Sequence, residues 1–487
     1  MTTQTGRRRH AAHLESDFPS ERMAILPSPT LTASGIRSRL LEIEKERKHL
    51  LESLDSIVYP VLTLPPEVTS EIFIHCVGGY TRHGPLLVAS VCKAWRTIAL
   101  TTPVLWSEFR GSRFGGFRGR GNLVSLLQCW LPRARSCPLT LEAIELGEFS
   151  HEDVLSSIAP YASQWMSLDL TAGFRPIVFP VGAIRKPLPL LKTLKIQVQR
   201  WPSGGPTCIT AFAAAPKLRE IHLIRMSLSQ ISLPWIQITC LTLSYQSLAQ
   251  IFEILQQTPN LEDLTVSLDD RHIVQLSPFI LPRLRRVKLS SALILNYLTL
   301  PALQSLELTR VKAAERASVQ SLLQRSECAI RAFHLNMTDM QDTCDCLSDL
   351  PSVADVTIQY PDWSTGDLTR FFNWLSESEN RTVLPALEML YIDGATGNVE
   401  VGAIEAFLSA RRTSADGGPN LKLFKLLFSY KNCVDFQVER TLKRLADLRM
   451  GGLQIDVTQA HKWATRYIDS KMMQVISGEY TDERNAG

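Results

Sequence analysis

The sequence predicts an α/β solenoid, in which short parallel strands alternate with helices, preceded by a small all-α module. Three observations carry this expectation. An apolar pattern recurs at intervals through the C-terminal part of the chain. The length, 487 residues, exceeds what one ordinary compact core organises, so either several domains or an elongated array of repeats is required. A short helical segment ahead of the pattern is too small to bury its own apolar face.

The recurring pattern reads Pro-x-Leu-x-x-Φ-x-Φ, where Φ is apolar. It occurs as Pro189-Leu191-Leu194-Ile196, Pro216-Leu218-Ile221-Leu223, Pro259-Leu261-Leu264-Val266 and Pro282-Leu284-Val287-Leu289. Further copies are Pro301-Leu303-Leu306-Leu308, Pro351-Val353-Val356-Ile358, Pro385-Leu387-Leu390-Ile392 and Pro419-Leu421-Phe424-Leu426. Degenerate copies fill the gaps at Trp165-Leu168-Leu170, Ile238-Leu241-Leu243 and Ile330-Phe333-Leu335. Alternation of Φ with polar residues gives each unit a short strand with one buried face. Segments such as 249–257 and 318–325 supply helices between strands. Prolines 189 and 216 lie 27 apart, 282 and 301 lie 19 apart, and 385 and 419 lie 34 apart. That range straddles the repeat of leucine-rich repeat proteins, whose strands stack into a parallel sheet lining a curved solenoid. The ladder Asn or Cys of that family is mostly missing, being Met226 and Val311 in two units, so irregular repeats are expected. A compact α/β domain is the alternative, and it would call for more uniform helices between strands.

In such a solenoid the residue between the two Φ positions faces the concave surface. That row reads Asp169, Lys195, His222, Thr242, Thr265, Lys288, Glu307, His334, Thr357, Tyr391 and Lys425. Its signs are mixed and its hydrogen-bonding groups abundant, which suits a protein ligand better than a phosphate backbone.

The N-terminal part divides differently. Residues 1–35 are rich in Ser, Thr and Pro and are expected to be a disordered arm. Arg7-Arg8-Arg9 within it is a charge cluster that reads as solvated rather than as a nuclear signal. Residues 36–57 form an amphipathic helix with Ile36, Leu40, Ile43, Leu50, Leu54 and Ile57 in 3-4 alternation. Arg47 in the seam argues against a coiled-coil dimer and for a helix packed on its own domain.

Next, Leu64-Pro65-Pro66-Glu67 opens a helix that carries Val68, Ile72, Phe73 and Cys76, with proline at its start and an acid in its first turn. After Gly78-Gly79 a second helix carries Leu87, Val88, Val91, Cys92, Trp95, Ile98 and Ala99. Pro103 ends it, and Leu105-Trp106 follow. A unit this small is expected to dock on a partner. The string Leu64-Pro65-Pro66-Glu67, Ile72-Phe73, Val91-Cys92-Lys93-Ala94-Trp95-Arg96, Ala99, Leu105-Trp106, with Tyr59-Pro60-Val61-Leu62 ahead of it, resembles an F-box of the kind found in mushroom-forming fungi. The resemblance covers residues 58–107 and implies a three-helix module that binds a Skp1-like adaptor. It implies that role for Leu64, Pro65, Pro66, Glu67, Ile72, Val91, Cys92, Trp95, Leu105 and Trp106. It also implies that the chain is not an enzyme. It would be the substrate-recognition adaptor of an SCF-type ubiquitin ligase, with a cullin/RING core reached through Skp1 and a protein target held by the solenoid. A scaffold working outside a ligase is the alternative, and RNA binding through the Gly/Arg stretch a further one.

The remaining signals are negative. Net charge is +4 with both signs interleaved, so neither nucleic acid nor an anionic membrane is called for. The ten cysteines include no C-x-x-C pair and the first residues lack an apolar core, which together point to the cytosol or nucleus. No apolar run approaches a membrane span. Sequons at Asn336 and Asn380 are read as incidental. Gly111 to Gly121, with Arg113, Arg118, Arg120, Phe114 and Phe117, resembles an Arg-Gly box but is a single copy, read as part of a basic linker over 108–124. Cys344, Cys346, Cys328 and His334 lack tetrahedral zinc spacing, no phosphate loop or nucleophile elbow appears, and no cofactor is expected. The solenoid is assigned to 125–470 and a flexible tail to 471–487.

Overall fold

The computed structural model describes residues 32–56, 63–77, 84–111, 122–146, 151–172, 184, 187–198, 208–268, 277–309, 313–336, 338–359, 363–364, 366–377, 383–395, 400–412, 421–428 and 453–459. The chain falls into two units, Met1–Pro66 and Glu67–Gly487.

In the first unit, helix α1 spans Ala33–Ser56. Thr32 starts it, its Oγ1 accepting from the Gly35 amide at 3.3 Å, which satisfies one of the orphan donors of a helix N-terminus. The amphipathic stripe expected here is present. No described residue of α1 is buried, and its seam leucines and isoleucines are between 46% and 61% exposed. Ile57 lies outside the described residues.

The second unit opens with three helices, α2 (Pro66–Val77, its first residue at the unit boundary), α3 (Pro85–Val91) and α4 (Lys93–Thr101). The sequence pattern predicts one helix from Leu87 to Ala99; the structure breaks it at Cys92. That residue is extended (φ −153°, ψ 172°) and caps α4, its Sγ accepting from the Trp95 amide. Arg96 bridges the break by donating from Nε to the Ala89 carbonyl at 2.9 Å. A tight turn, Pro103–Trp106, follows.

From there the chain builds a sheet. Its elements are β1 (Glu108–Arg110), α5 (Asn122–Trp130), β2 (Leu139–Leu146), α6 (His151–Ile158), β3 (Trp165–Ala172), β4 (Thr193–Val198), β5 (Glu220–Ile224), β6 (Cys240–Gln246), α7 (Leu248–Gln257) and β7 (Asp263–Leu268). They continue with β8 (Phe279–Ile280), β9 (Arg286–Leu289), β10 (Leu298–Thr299), β11 (Ser305–Thr309), α8 (Ala313–Ser326), β12 (Ala332–Asn336), α9 (Met340–Ser348) and β13 (Asp355–Gln359). The last are α10 (Asp367–Ser376), β14 (Met389–Ala395), α11 (Val401–Arg412), β15 (Leu423–Phe428) and β16 (Gln454–Gln459). Fourteen strands form one sheet in chain order, with β8 and β10 paired separately. Every pairing among the described residues is parallel. The fold is therefore α/β, a long parallel sheet with interleaved helices.

The Pro-x-Leu-x-x-Φ-x-Φ copies account for β3 to β7, β9 and β11 to β15. Their Φ pairs, such as Leu194 and Ile196 or Phe333 and Leu335, are buried. A second regularity joins the units. The carbonyl of the residue just before one strand accepts two successive amides of the next unit, as Lys192 does from Arg219 and Glu220, and Arg285 from Gln304 and Ser305. The same arrangement recurs up to Glu388, which accepts from Lys422 and Leu423. Each unit is thus tied to its neighbour at the strand entrance as well as along the ladder. Near the C-terminal end the core turns aromatic: Phe372 of α10 meets Phe407 of α11 at 5.6 Å and Phe424 of β15 at 5.8 Å.

One segment differs from expectation. The segment 108–124, read as a linker, contributes β1 to the sheet and the start of α5. Gly111 is there for space: a Cβ on it would stand 2.1 Å from the Ala143 carbonyl oxygen, so the close approach of two backbones requires glycine. Ala143 itself sits at φ 51°, in the irregular stretch between Leu141 and Ile144 of β2. Arg113, Arg118, Arg120, Phe114 and Phe117 lie outside the described residues, as do Arg7 to Arg9, Val311, Asn380 and the tail from 471. Asn336 is buried in β12, which removes its sequon from any surface reading.

Candidate functional site

Large apolar side chains that reach solvent are unevenly distributed in the second unit. Among its described residues, Val68, Ile72, Leu86, Leu87, Val91, Leu100 and Val104 are exposed in the helical segment, whereas the whole remainder adds only Ile236 and Ile280. Val68 and Ile72 are i, i+4 on α2, and Leu87 and Val91 are i, i+4 on α3, so each pair shares a helix face. Monomeric proteins do not gather apolar side chains on a surface without reason.

Of the residues expected on this face, Ile72 (42% exposed) and Val91 (60%) lie outward, as does Glu67. Leu64, Pro65 and Pro66 belong to the first unit and are exposed there. Cys92 is half-buried and spends its sulfur on the α4 cap. Trp95 is half-buried against Phe73, ring centroids 4.9 Å apart, and its Nε1 finds no hydrogen-bond partner among the described residues.

Leu105 and Trp106 depart from expectation. Both are buried in the chain's own core. The Trp106 Nε1 donates to the Ala99 carbonyl at 2.8 Å, and its ring meets Trp130 of α5 and the guanidinium of Arg133. They support the helical face from behind instead of lining it. Conversely, Val68 and Leu87 were read from sequence only as apolar positions of their helices, and Leu86, Leu100 and Val104 were not named. Helical phase could have found Val68 and Leu87, each four residues from a predicted face residue.

The second candidate surface is the polar row of the sheet. The structure sets all eleven predicted residues in one unbroken register. Asp169 pairs with Lys195, Lys195 with His222, His222 with Thr242, and Thr242 with Thr265. The row runs on through Lys288, Glu307, His334, Thr357, Tyr391 and Lys425. It continues to Asp456 of β16, which sequence reading missed because β16 lacks the proline-leucine signature.

Its charges are largely matched within the row. Lys195 Nζ stands 3.1 Å from Asp169 Oδ2, and Lys288 Nζ 2.7 Å from Glu307 Oε1. The Lys425 ammonium lies over the Tyr391 ring at 5.3 Å. His222 meets Glu220 at 2.9 Å, and that hydrogen bond holds the Glu220 carboxyl below the usual range. Burial pushes the His334 imidazole towards its neutral form. Thr357 is buried, so the row is less open at β13 than elsewhere. Such a surface offers paired, half-buried polar groups, suited to recognition by shape and hydrogen bonding more than by net charge.

Cys344 and Cys346 are buried free thiols in α9, pushed by burial up to about 12, far from the thiolate that metal binding or nucleophilic chemistry uses. No helix among the described residues is long and apolar enough to cross a membrane.

No family model matches the chain, and no curated protein matches it either. The fold itself defines an α/β protein with a long parallel sheet, a helical segment with outward apolar faces, and a continuous polar row.

Proposed function

We propose that this chain is a non-catalytic adaptor of the F-box type. In this reading α2, α3 and α4 are the F-box and bind a Skp1-like protein, through which a cullin/RING ligase core is reached. The parallel sheet is an irregular leucine-rich-repeat solenoid, and its polar row receives a protein target. The chain contributes proximity, raising the local concentration of target lysines near the charged ubiquitin carrier, while catalysis occurs on other subunits. Its place would be the cytosol or nucleus.

The observation that carries the proposal is the concentration of exposed apolar side chains on the segment whose sequence resembles an F-box. Burying residues such as Ile72 and Val91 on a partner contributes roughly 25 cal/mol per Å² of apolar surface removed from water. The register row supports the second half, since one residue per unit is presented at a constant spacing, as an extended recognition face requires.

The test is co-purification of the full chain with a Skp1-like protein and a cullin, comparing wild type with Ile72→Asp and Val91→Asp. Both side chains are exposed, so the variants keep their fold, and each is expected to weaken Skp1 binding by about 2 kcal/mol or more. Failure of the folded wild type to bind Skp1 ends the F-box reading. Binding of Skp1 without a cullin converts the proposal into a scaffold that acts outside a ligase.

A further inference from the structure

We propose that α1 associates with α1 of a second copy of this chain as a parallel, two-stranded coiled coil. Its apolar stripe faces solvent along the helix, which at ~1.5 Å per residue is about 36 Å long. Along it Ile36, Leu40, Ile43, Leu50 and Leu54 are all exposed. Their 4-3-7-4 spacing, with Arg47 completing the seam, places them at alternating d and a positions. A stripe with a 3.5-residue period fits another helix of the same period better than it fits a sheet or a globular groove.

Charge selects the occupant and its direction. With Leu40, Arg47 and Leu54 at a, Arg39 falls at g and Glu44 at the following e. In a parallel, in-register pair, g of one helix meets the next e of the other, so Arg39 of each copy faces Glu44 of its mate, twice per dimer. Arg47 then packs beside Glu46 of the second copy. Antiparallel pairing over the same seam would set Glu44 against Glu44 and Glu46 against Glu46, which is repulsive. Within one chain Arg39 contacts Glu42 at 2.9 Å, an exposed i, i+3 pair that is weak enough to be exchanged.

Arg47 also limits the number of strands. Leu at a with Ile at d by itself favours larger bundles. A buried guanidinium would be enclosed in a core of three or four helices, whereas in a two-stranded seam its head runs out to water along the helix edge. The seam arginine that argued against association from sequence thus becomes the residue that restricts it to a pair.

The test is sedimentation equilibrium of the full chain over a concentration series. A dimer mass is expected for wild type. Arg39→Glu and Glu44→Arg should each raise the dimer dissociation constant on the order of tenfold, and the double charge swap should restore it. Leu40→Glu with Leu50→Glu should give a monomer; since both side chains are exposed, circular dichroism of the sheet should be unchanged. A monomer for wild type at every concentration, a tetramer, a dimer that survives the double leucine change, or a swap that fails to restore association would each overturn the proposal. The outcome is independent of Skp1 binding.

Discussion

Trp130 donates from its indole Nε1 to the main-chain carbonyl of Trp106 at 2.8 Å, and the two rings meet edge to face with centroids 4.8 Å apart. Because Trp106 donates in turn to Ala99, a relay runs from α4 through the following turn to α5. The helical segment and the sheet consequently share one hydrophobic core, and loss of the relay should be felt in both. Trp130→Phe keeps most of the ring but leaves a buried carbonyl unsatisfied. It is expected to cost about 1–3 kcal/mol, read from urea unfolding, with a single transition retained.

Exposure separates two neighbouring residues of the helical segment. Val91→Ser should change stability by no more than ~0.5 kcal/mol, since Val91 projects into solvent. Ala99→Leu forces extra volume into a filled site and should cost about 1–3 kcal/mol. Thermal melts of the two variants provide the comparison, and equal effects would mean that the face is not where the structure places it.

Gly111 offers a test of the backbone approach between β1 and β2. Gly111→Ala adds one methyl against the Ala143 carbonyl and should destabilise by about 1–3 kcal/mol, measured by chemical denaturation. If glycine serves only as a flexible spacer there, the substitution will be neutral or slightly stabilising.

Lys288 and Glu307 occupy adjacent strands of the polar row, with side chains about one-quarter exposed. A double-mutant cycle with Lys288→Met and Glu307→Gln should return a coupling of about 0.5–1 kcal/mol that shrinks as salt is added. A coupling of zero at low salt would show that the pair is fully solvated in solution.

Asp349 ties α9 to α8. It accepts from Arg316 Nε at 2.6 Å and from Gln320 at 3.1 Å. Burial pushes its carboxyl up, but the Arg316 and Gln320 hydrogen bonds and the Arg316 charge outweigh it, and the net shift is downward. A carboxylate with a depressed folded-state pKa contributes stability that is present above the unfolded value, about 3.9, and is lost as the pH falls through the folded one. Asp349→Asn should therefore lower stability at neutral pH and flatten the pH dependence below about pH 4. Parallel acid-unfolding curves for wild type and variant would refute this.

Much of the fold was legible because the signals are local. A Φ-x-Φ pair buries itself by alternation wherever it occurs, so eleven strands could be placed, and their common phase aligned Asp169 through Lys425 in one row. The strands β1, β2 and β16 lack the proline-leucine lead. They are held instead by pairing with neighbours already formed, which composition does not announce. The break at Cys92 was equally hidden, since Val91 to Trp95 continues a helical pattern and only the cap geometry interrupts it.

The sequence alone determined the repeat, the phase of the polar row and the presence of amphipathic helices, because periodicity and alternation are properties of neighbouring residues. Tertiary structure alone decided which apolar side chains face inward. Trp106 is buried because Trp130, Ala99 and Arg133 close around it, while Val91 stays in solvent because no distant segment among the described residues covers it. Burial depends on partners brought together from far along the chain, and it is burial that separates a core residue from a docking one.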